Sequence, residues 1–364
     1  MDLLGVWFCS CGALFPSLAI SGRVSAMDVP LFLGVLHAYS AKIASLSVDV
    51  DAEDIALFDA LDMAELREVS VSLSPVTTED PEMFPLDTFL RSAPKLCKVR
   101  LYRTIPSESA IPWSQITHFH AELSSAEETF RALKLLPNVA RFETTILSQY
   151  FPMSRDVNQR RLVHPHLQEL TLHEWNRRPD ELHILHFLIL PALESLDTND
   201  INRVILSEFM ERSKPPLKRL SIIGDADLSF DAPALERLDQ LVELTLRNPS
   251  WIVTRSLLEV LEPRVSEPLR FPVLRNLSLV CREAENGRQQ TGFLHLAGLA
   301  ARAVMYRNTR TKGTRIMEFS LLFEPAQTLD WLKIDIPEPL LGLWKKLRED
   351  GVEVHLASTK HIVL

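Results

Sequence analysis

Five histidines crowd one stretch of the chain: His164, His166 and His173 within ten residues, then His183 and His186. Imidazole is the commonest biological metal ligand, and a metal site needs three or four converging N, O or S donors. The spacing opposes that use. His166 precedes Leu167 and His173 follows Leu172 in a segment that reads as extended chain. Such a segment holds the two about 20 Å apart, at about 3.3 Å per residue. Without a turn between them they cannot share an ion. Ordinary surface histidines are expected, with no metal and no cofactor.

A second pair, His118 and His120, alternates with Phe119 and sits in register with Arg100 and Glu143 when the surrounding repeats are aligned. It reads as part of a pH-sensitive recognition patch or as solvated strand histidines. "SIIGDAD" from Ser221 places two aspartates after a strand, as some metal enzymes do. One glycine and no companion motif make a turn the simpler reading. No G-x-G-x-x-G, Walker-type phosphate loop, G-x-S-x-G or H-E-x-x-H is present. The basic run Arg302, Arg307, Arg310, Lys312 and Arg315 could grip an acidic partner or act as a nuclear signal. Its simpler reading is a solvated helix face running into a loop. Nothing here assembles an active site, so no enzyme is expected.

The elements that carry these residues announce themselves by repetition. "PKLCKVRL" begins at Pro94, "PNVARFET" at Pro137, "PHLQELTL" at Pro165 and "PALESLDT" at Pro191. "PPLKRLSI" follows from Pro215, "DQLVELTL" from Asp239 and "PVLRNLSL" from Pro272. The shared frame is an apolar residue, two others, an apolar residue, one other, then a third apolar or small residue. It recurs at an irregular step of roughly 20 to 33 residues, the range of stacked strand-plus-helix units. Fainter copies are Ile43-Leu46-Val48, Leu66-Val69-Val71, Ile116-Phe119-Ala121, Ile316-Phe319-Leu321 and Val352-Val354-Leu356. Period-two alternation makes each a strand with one buried face, about eleven or twelve in all. Leu96, Leu170, Leu196, Leu220, Leu244 and Leu277 are the predicted core of these strands.

Helices are predicted between strands. Ser125 and Glu128 form a capping box ahead of Phe130, Leu133 and Leu136. Asn199 or Asp200 caps a helix that turns Ile201, Val204, Ile205 and Phe209 inward. Thr254 leads into Leu257, Leu258 and Leu261, stopped by Pro263. Phe293 to Tyr306 is the longest helix, and Pro339 to Asp350 turns Leu340, Leu343, Trp344 and Leu347 inward before Gly351. Strand, helix and parallel strand connect right-handedly. The predicted fold class is therefore α/β: a solenoid with a curved parallel sheet on the concave side and helices on the convex side. Stacking in register should set Glu68 beside Lys98, Arg141 beside Glu169 and Arg219 beside Glu243.

Bulk properties agree with a packed, non-nucleic-acid-binding protein. The chain has 364 residues, 46% hydrophobic and 24% charged, enough for a core. A net charge of −9 disfavours sequence-independent nucleic-acid binding. The 11 glycines are outnumbered by 23 prolines, several just ahead of strands, where they remove no ladder donor. Of the four cysteines, Cys97 and Cys281 read as small core hydrophobes, and Cys9 and Cys11 lie in an apolar start. With no zinc spacing and no disulfide framework, a reducing, cytoplasmic or nuclear location is expected. No apolar run approaches the roughly 18 residues a membrane span needs. Residues 1–20 are apolar enough for a signal peptide, yet Asp2 stands where a basic region belongs; a core-facing helix or first repeat is the other reading. The expected organisation is an N-terminal apolar segment or cap (1–40), a repeat solenoid (41–357) and a tail (358–364).

The repeats resemble irregular leucine-rich repeats. The stretch from Ala19 to Val50, with Tyr39-Ser40 and Ser45-Leu46-Ser47-Val48 ahead of Pro-x-Leu strands, is similar to the repeat regions of fungal, basidiomycete-type F-box proteins. The resemblance implies the substrate-recognition part of an F-box-type subunit of a cullin-RING (SCF) ubiquitin ligase. No Leu-Pro-acidic opening of an F-box stands before Ser45, so the ligase adaptor is expected to bind only if an F-box lies upstream. A repeat-only scaffold or inhibitor unconnected with ubiquitin ligation is the alternative. Either way a monomer with a protein partner on the concave face is expected, with no nucleic acid and no membrane. The densest mix of charge and aromatic side chains marks the partner site. Lys98, Arg100 and Tyr102 come from one strand, and His118, His120 and Glu122 from the next. Arg141 and Glu143, then Glu169 and His173, complete it. Strands carrying Ser221, Ile223, Ser278 and Val280 offer less to recognise.

Overall fold

The computed structural model describes residues 17–21, 29–51, 58, 61–74, 90, 93–102, 111–123, 126–146, 161–175, 182–199, 201–224, 238–262, 270–282, 289–310, 314–324, 337–358 and 361–362. The chain forms two compact units, Met1–Ile184 and Leu185–Leu364. Readings placed on Cys9, Cys11, Ser125, Asp200, Pro263 and Lys312, and on the aspartates after Gly224, lie outside the described residues.

The first unit holds β1 (Ser17–Ser21), α1 (Val29–Tyr39), β2 (Ser45–Asp51), β3 (Glu68–Ser74) and β4 (Lys98–Tyr102). It continues with β5 (His118–Leu123), α2 (Ala126–Leu135), β6 (Arg141–Ile146), the two-residue β7 (Leu162–Val163) and β8 (Glu169–Glu174). Here β1, β2, β3, β4, β5, β6 and β8 lie side by side in that order, each pair parallel. The second unit holds the two-residue β9 (Leu188–Ile189), β10 (Ser195–Asn199), α3 (Arg203–Ser213), β11 (Arg219–Ile223) and β12 (Glu243–Arg247). Next come α4 (Trp251–Leu261), β13 (Asn276–Arg282), α5 (Gln289–Arg310), β14 (Glu318–Glu324), α6 (Glu338–Glu349), β15 (Glu353–Ser358) and β16 (His361–Ile362). From β10 to β15 the large strands are again parallel neighbours in chain order. The fold is α/β, built on parallel strands. Four strands were not predicted: β1 inside the apolar N-terminal segment, the two-residue β7 and β9, and β16, which folds back antiparallel on β15 inside the predicted tail.

Every predicted strand frame carries a strand, and its apolar positions are buried. Leu170, Leu196, Leu220, Leu244 and Leu277 have nearly no exposed surface, and neither does Leu96, which lies just ahead of its strand. Each such side chain contributes about 1.5 to 3 kcal/mol by leaving water. Aromatic neighbours reinforce the ladder: Phe119 of β5 stacks on Phe142 of β6 at 5.4 Å, and Phe319 of β14 stacks on Trp344 of α6 at 5.5 Å.

A fourth frame position emerges three residues ahead of the first. Met63, Ala93, Trp113, Leu136, Leu190, Leu238 and Phe271 all occupy it, and all are buried. Their carbonyls close a tight turn by accepting the N–H of the first frame residue, as in Leu96 to Ala93 at 3.2 Å and Leu274 to Phe271 at 3.1 Å. The next carbonyl ladder is equally regular. Arg67 O accepts from Cys97 N and Lys98 N, Cys97 O from Thr117 N and His118 N, and Thr117 O from Ala140 N and Arg141 N. A buried peptide group must be paired, and this geometry pairs each strand entrance with the one before it.

The helices shift modestly from expectation. The cap of α3 is Asn202, whose Oδ1 accepts Ile205 N–H at 3.0 Å, not Asn199 or Asp200. The inward stripe is therefore Ile205, Leu206, Phe209 and Met210, and Val204 falls outside it, 54% exposed. Ser250, not Thr254, caps α4 by accepting Val253 N–H at 3.3 Å. Thr254 instead lies inside the helix and donates to Ser250 O at 3.0 Å. The longest helix, α5, runs 22 residues, further at both ends than Phe293 to Tyr306. In α6, Leu340, Trp344 and Leu347 are buried but Leu343 is only half-buried. Gly351 ends this segment with φ 86, a left-handed conformation that glycine adopts without a Cβ clash.

Two predicted surface or core assignments are overturned. Arg307 does not belong to a solvated basic face: it is 0% exposed. Its guanidinium donates to Arg270 O at 2.9 Å and to Phe271 O, the turn carbonyl of the fourth frame position. Arg302 and Arg315 do face solvent. Cys281 is buried as predicted, and burial pushes its thiol up to about 12. Cys97 is only half-buried, its Sγ 3.5 Å from Arg67 O.

Candidate interaction face

Alternation on β3 to β8 turns one set of side chains into the core and the other outward. Parallel register aligns the outward set into three rows, with neighbours about 4.8 Å apart. The first row is Glu68, Lys98, His118, Arg141 and Glu169. The second is Ser70, Arg100, His120, Glu143 and Thr171, and the third Ser72, Tyr102, Glu122, Thr145 and His173. All ten residues singled out from the sequence therefore share one face of the first unit, and none of them is buried.

The charges organise into pairs. Arg141 Nη1 lies 3.5 Å from Glu169 Oε2, as the alignment anticipated. Glu68 stands beside Lys98 in register but turns diagonally to Arg100, 3.3 Å away. The guanidinium fork reaches a carboxylate two positions along the neighbouring strand more readily than an ammonium does at the directly opposed site. Arg219 and Glu243 are in register in the second unit. In the second row His120 Nδ1 lies 3.4 Å from Glu143 Oε1, and the His120 ring also packs against Tyr102 at 5.4 Å. Tyr102 is thus half-buried, its ring supported from one side, where full exposure was expected.

His118 differs from His120. Thr117 Oγ1 donates to Cys97 O at 3.2 Å and sits 2.9 Å from His118 Nδ1. Its single proton is directed to Cys97, so the network assigns the Nδ1 proton to His118. Partial burial holds the His118 imidazolium below its ordinary range, and Lys98 and Arg141 on either side add to that, against the weaker pull of Glu169 and Glu68.

The crowded histidines do not converge. Among the described residues no three His, Cys, Asp or Glu side chains gather as a metal site requires. His166 is exposed and His173 half-buried, but His164 and His183 are buried, contrary to the surface reading. His164 holds the fourth frame position ahead of Leu167, where other repeats have Ala93 or Leu136. Its Nε2 donates to Leu136 O at 2.7 Å, and among the described residues Nδ1 has no hydrogen-bond partner. Burial lowers its pKa, against the bond to Leu136 O, which raises it. His183 Nε2 stands 3.8 Å from Glu174 Oε1, which accepts Ile184 N–H at 3.2 Å. His186 Nδ1 pairs with Glu208 at 3.2 Å. The frame extended three residues toward the N-terminus falls on His164 but also on the exposed Lys214, so that position alone does not mark burial.

The second unit has an outward set of its own. Ser221, Thr245, Ser278 and Ser320 form a small hydroxyl row, and Ile223, Arg247, Val280 and Leu322 run beside it. It has fewer long charged groups than the outward rows of the first unit. Among the described residues no helix is long and apolar enough to cross a membrane. Compared with known proteins, the sequence matches no family model and no curated protein.

Proposed function

We propose that this chain is a non-catalytic, protein-binding solenoid of leucine-rich-repeat type, whose partner docks on the outward face of β4 to β8. In the fuller form of this reading it is the substrate-recognition part of an F-box-type subunit of a cullin-RING ubiquitin ligase. The observation that carries it is the three-row array: Lys98, Arg100, Tyr102, His118, His120, Glu122, Arg141, Glu143, Glu169 and His173 on one solvent-facing sheet surface. Strands hold such side chains at fixed spacing, so little ordering entropy is lost when a partner binds. Arg and Tyr are the residues that most often dominate interface energetics. Here Tyr102 is braced by His120 and Arg100 by Glu68.

The test combines proximity labelling, to identify the partner, with the double variant R100A/Y102A. Melting should be unchanged, since both side chains lie outside the core, while partner capture should fall at least tenfold, about 1.4 kcal/mol. Undiminished capture would remove this face from consideration. The ligase reading separates from a repeat-only scaffold by adaptor capture. The chain as given is expected not to capture the adaptor, and fusion to an upstream F-box, where one is encoded, should confer it.

A further inference from the structure

The first row contains a cation that stands outside the ion pairs on either side of it. Lys98 is exposed and stands in register with Glu68, but Glu68 is engaged by Arg100. Arg141, two strands away, is engaged by Glu169. Among the described residues Lys98 has no ion pair. Between Lys98 and Arg141 lies His118, whose Nδ1 proton is spent on Thr117. Its Nε2 is then the unprotonated nitrogen of an exposed ring. In the neutral state this nitrogen is an acceptor, useless to an anion. One proton from solvent converts it into a donor beside the Lys98 ammonium.

We propose, building on the protein-binding reading of this face, that Lys98 and His118 form a proton-coupled seat for a single carboxylate side chain of the partner, with Arg141 alongside. Binding takes up one proton: it adds to His118 Nε2, no covalent bond forms or breaks, and the carboxylate accepts from Nε2–H and from Nζ. The surroundings restrict the ligand. Beside Arg100 and His120 of the adjacent row, three carboxylates border the seat: Glu68 and Glu169 in its own row and Glu143 in the next. They repel a second acid or a dianionic phosphate, so an isolated Asp or Glu is favoured over a phosphorylated or polyacidic segment. Partial burial, then Lys98 and Arg141, depress protonation of the empty seat, and a bound carboxylate opposes the field of the two cations. Affinity therefore rises as pH falls from 8 towards 6.

The experiment uses the whole chain, labelled at histidine for NMR, with the His118 resonances assigned by their absence from H118Q. The probe is an acetylated, amidated Gly-Glu-Gly peptide; Gly-Gln-Gly and Gly-phosphoserine-Gly are the controls. The Glu peptide should raise the His118 titration midpoint by about 0.5 pH unit or more and bind at least about threefold tighter at pH 6 than at pH 8. The Gln peptide should do neither, K98A should reduce the shift, and H118Q should bind without pH dependence. A midpoint unmoved by the Glu peptide, or moved further by the phosphoserine peptide, overturns the proposal. The two readings fail separately. An inert His118 with capture still lost in R100A/Y102A removes the seat and keeps the face; a responsive His118 with capture undiminished keeps the seat and removes the face.

Discussion

Replacing Arg307 tests the interior most directly, because its side chain is invisible from outside. It is 0% exposed and donates from Nη1 to Arg270 O at 2.9 Å and from Nη2 to Phe271 O. Phe271 has φ 50, a left-handed conformation that costs a bulky residue about 1 to 3 kcal/mol and persists only when its surroundings hold it. R307A removes both charged donors, from Arg270 O and from Phe271 O, which keeps the Leu274 N–H at 3.1 Å. At about 1.5 to 3 kcal/mol for each hydrogen bond to a charged group, the loss is about 3 to 6 kcal/mol. R307K retains a charge but presents one point donor instead of a planar fork, so about half that loss is expected. Burial pushes the Arg307 pKa down to about 10, which still leaves it charged at neutral pH. Urea unfolding at pH 7, with midpoint and slope fitted separately, measures the effect. R302A, at an exposed position of the same helix, is the control and should stay within about 0.5 kcal/mol. If R307A matched R302A, the burial and both hydrogen bonds would be refuted, and the solvated basic face inferred from sequence would be restored.

Truncating Leu220 or Leu244 to Ala should cost about 2 to 5 kcal/mol, and T171A on the outward face less than about 0.5, all read from the same urea curves. His164 makes stability fall in acid. Its folded pKa is lowered, so the unfolded chain binds the extra proton first, and stability is intact above pH 6.5 and lost as pH drops below it. H164Q should flatten the difference in unfolding free energy between pH 7 and pH 5, and an unchanged slope would refute the assignment. N202A should destabilise by about 1 kcal/mol by uncapping α3, whereas V204K should be near neutral in thermal melts, the reverse of what an inward Val204 would give.

The amino-acid pattern alone determined the frame-bearing strands, their order and their outward rows. Period-two alternation and a recurring three-position frame leave one arrangement that buries Leu170, Leu196 and Leu220 while exposing Lys98, Arg141 and Glu169. A one-residue slip would exchange those faces, so register was legible from sequence, and with it the side chains that share the outward face. Tertiary structure decided the polar interior and the pairing of long side chains. His164 and Arg307 look like surface residues because nothing local marks burial. Each is internal where the turn carbonyl of a neighbouring segment, Leu136 or Phe271, accepts its N–H in addition to the turn hydrogen bond from Val139 or Leu274. Likewise Glu68 chose Arg100 over Lys98 because reach and guanidinium geometry, not register, select among partners a few ångströms apart. Sequence periodicity encodes where backbones lie; which polar group answers which depends on distances that only the folded chain creates.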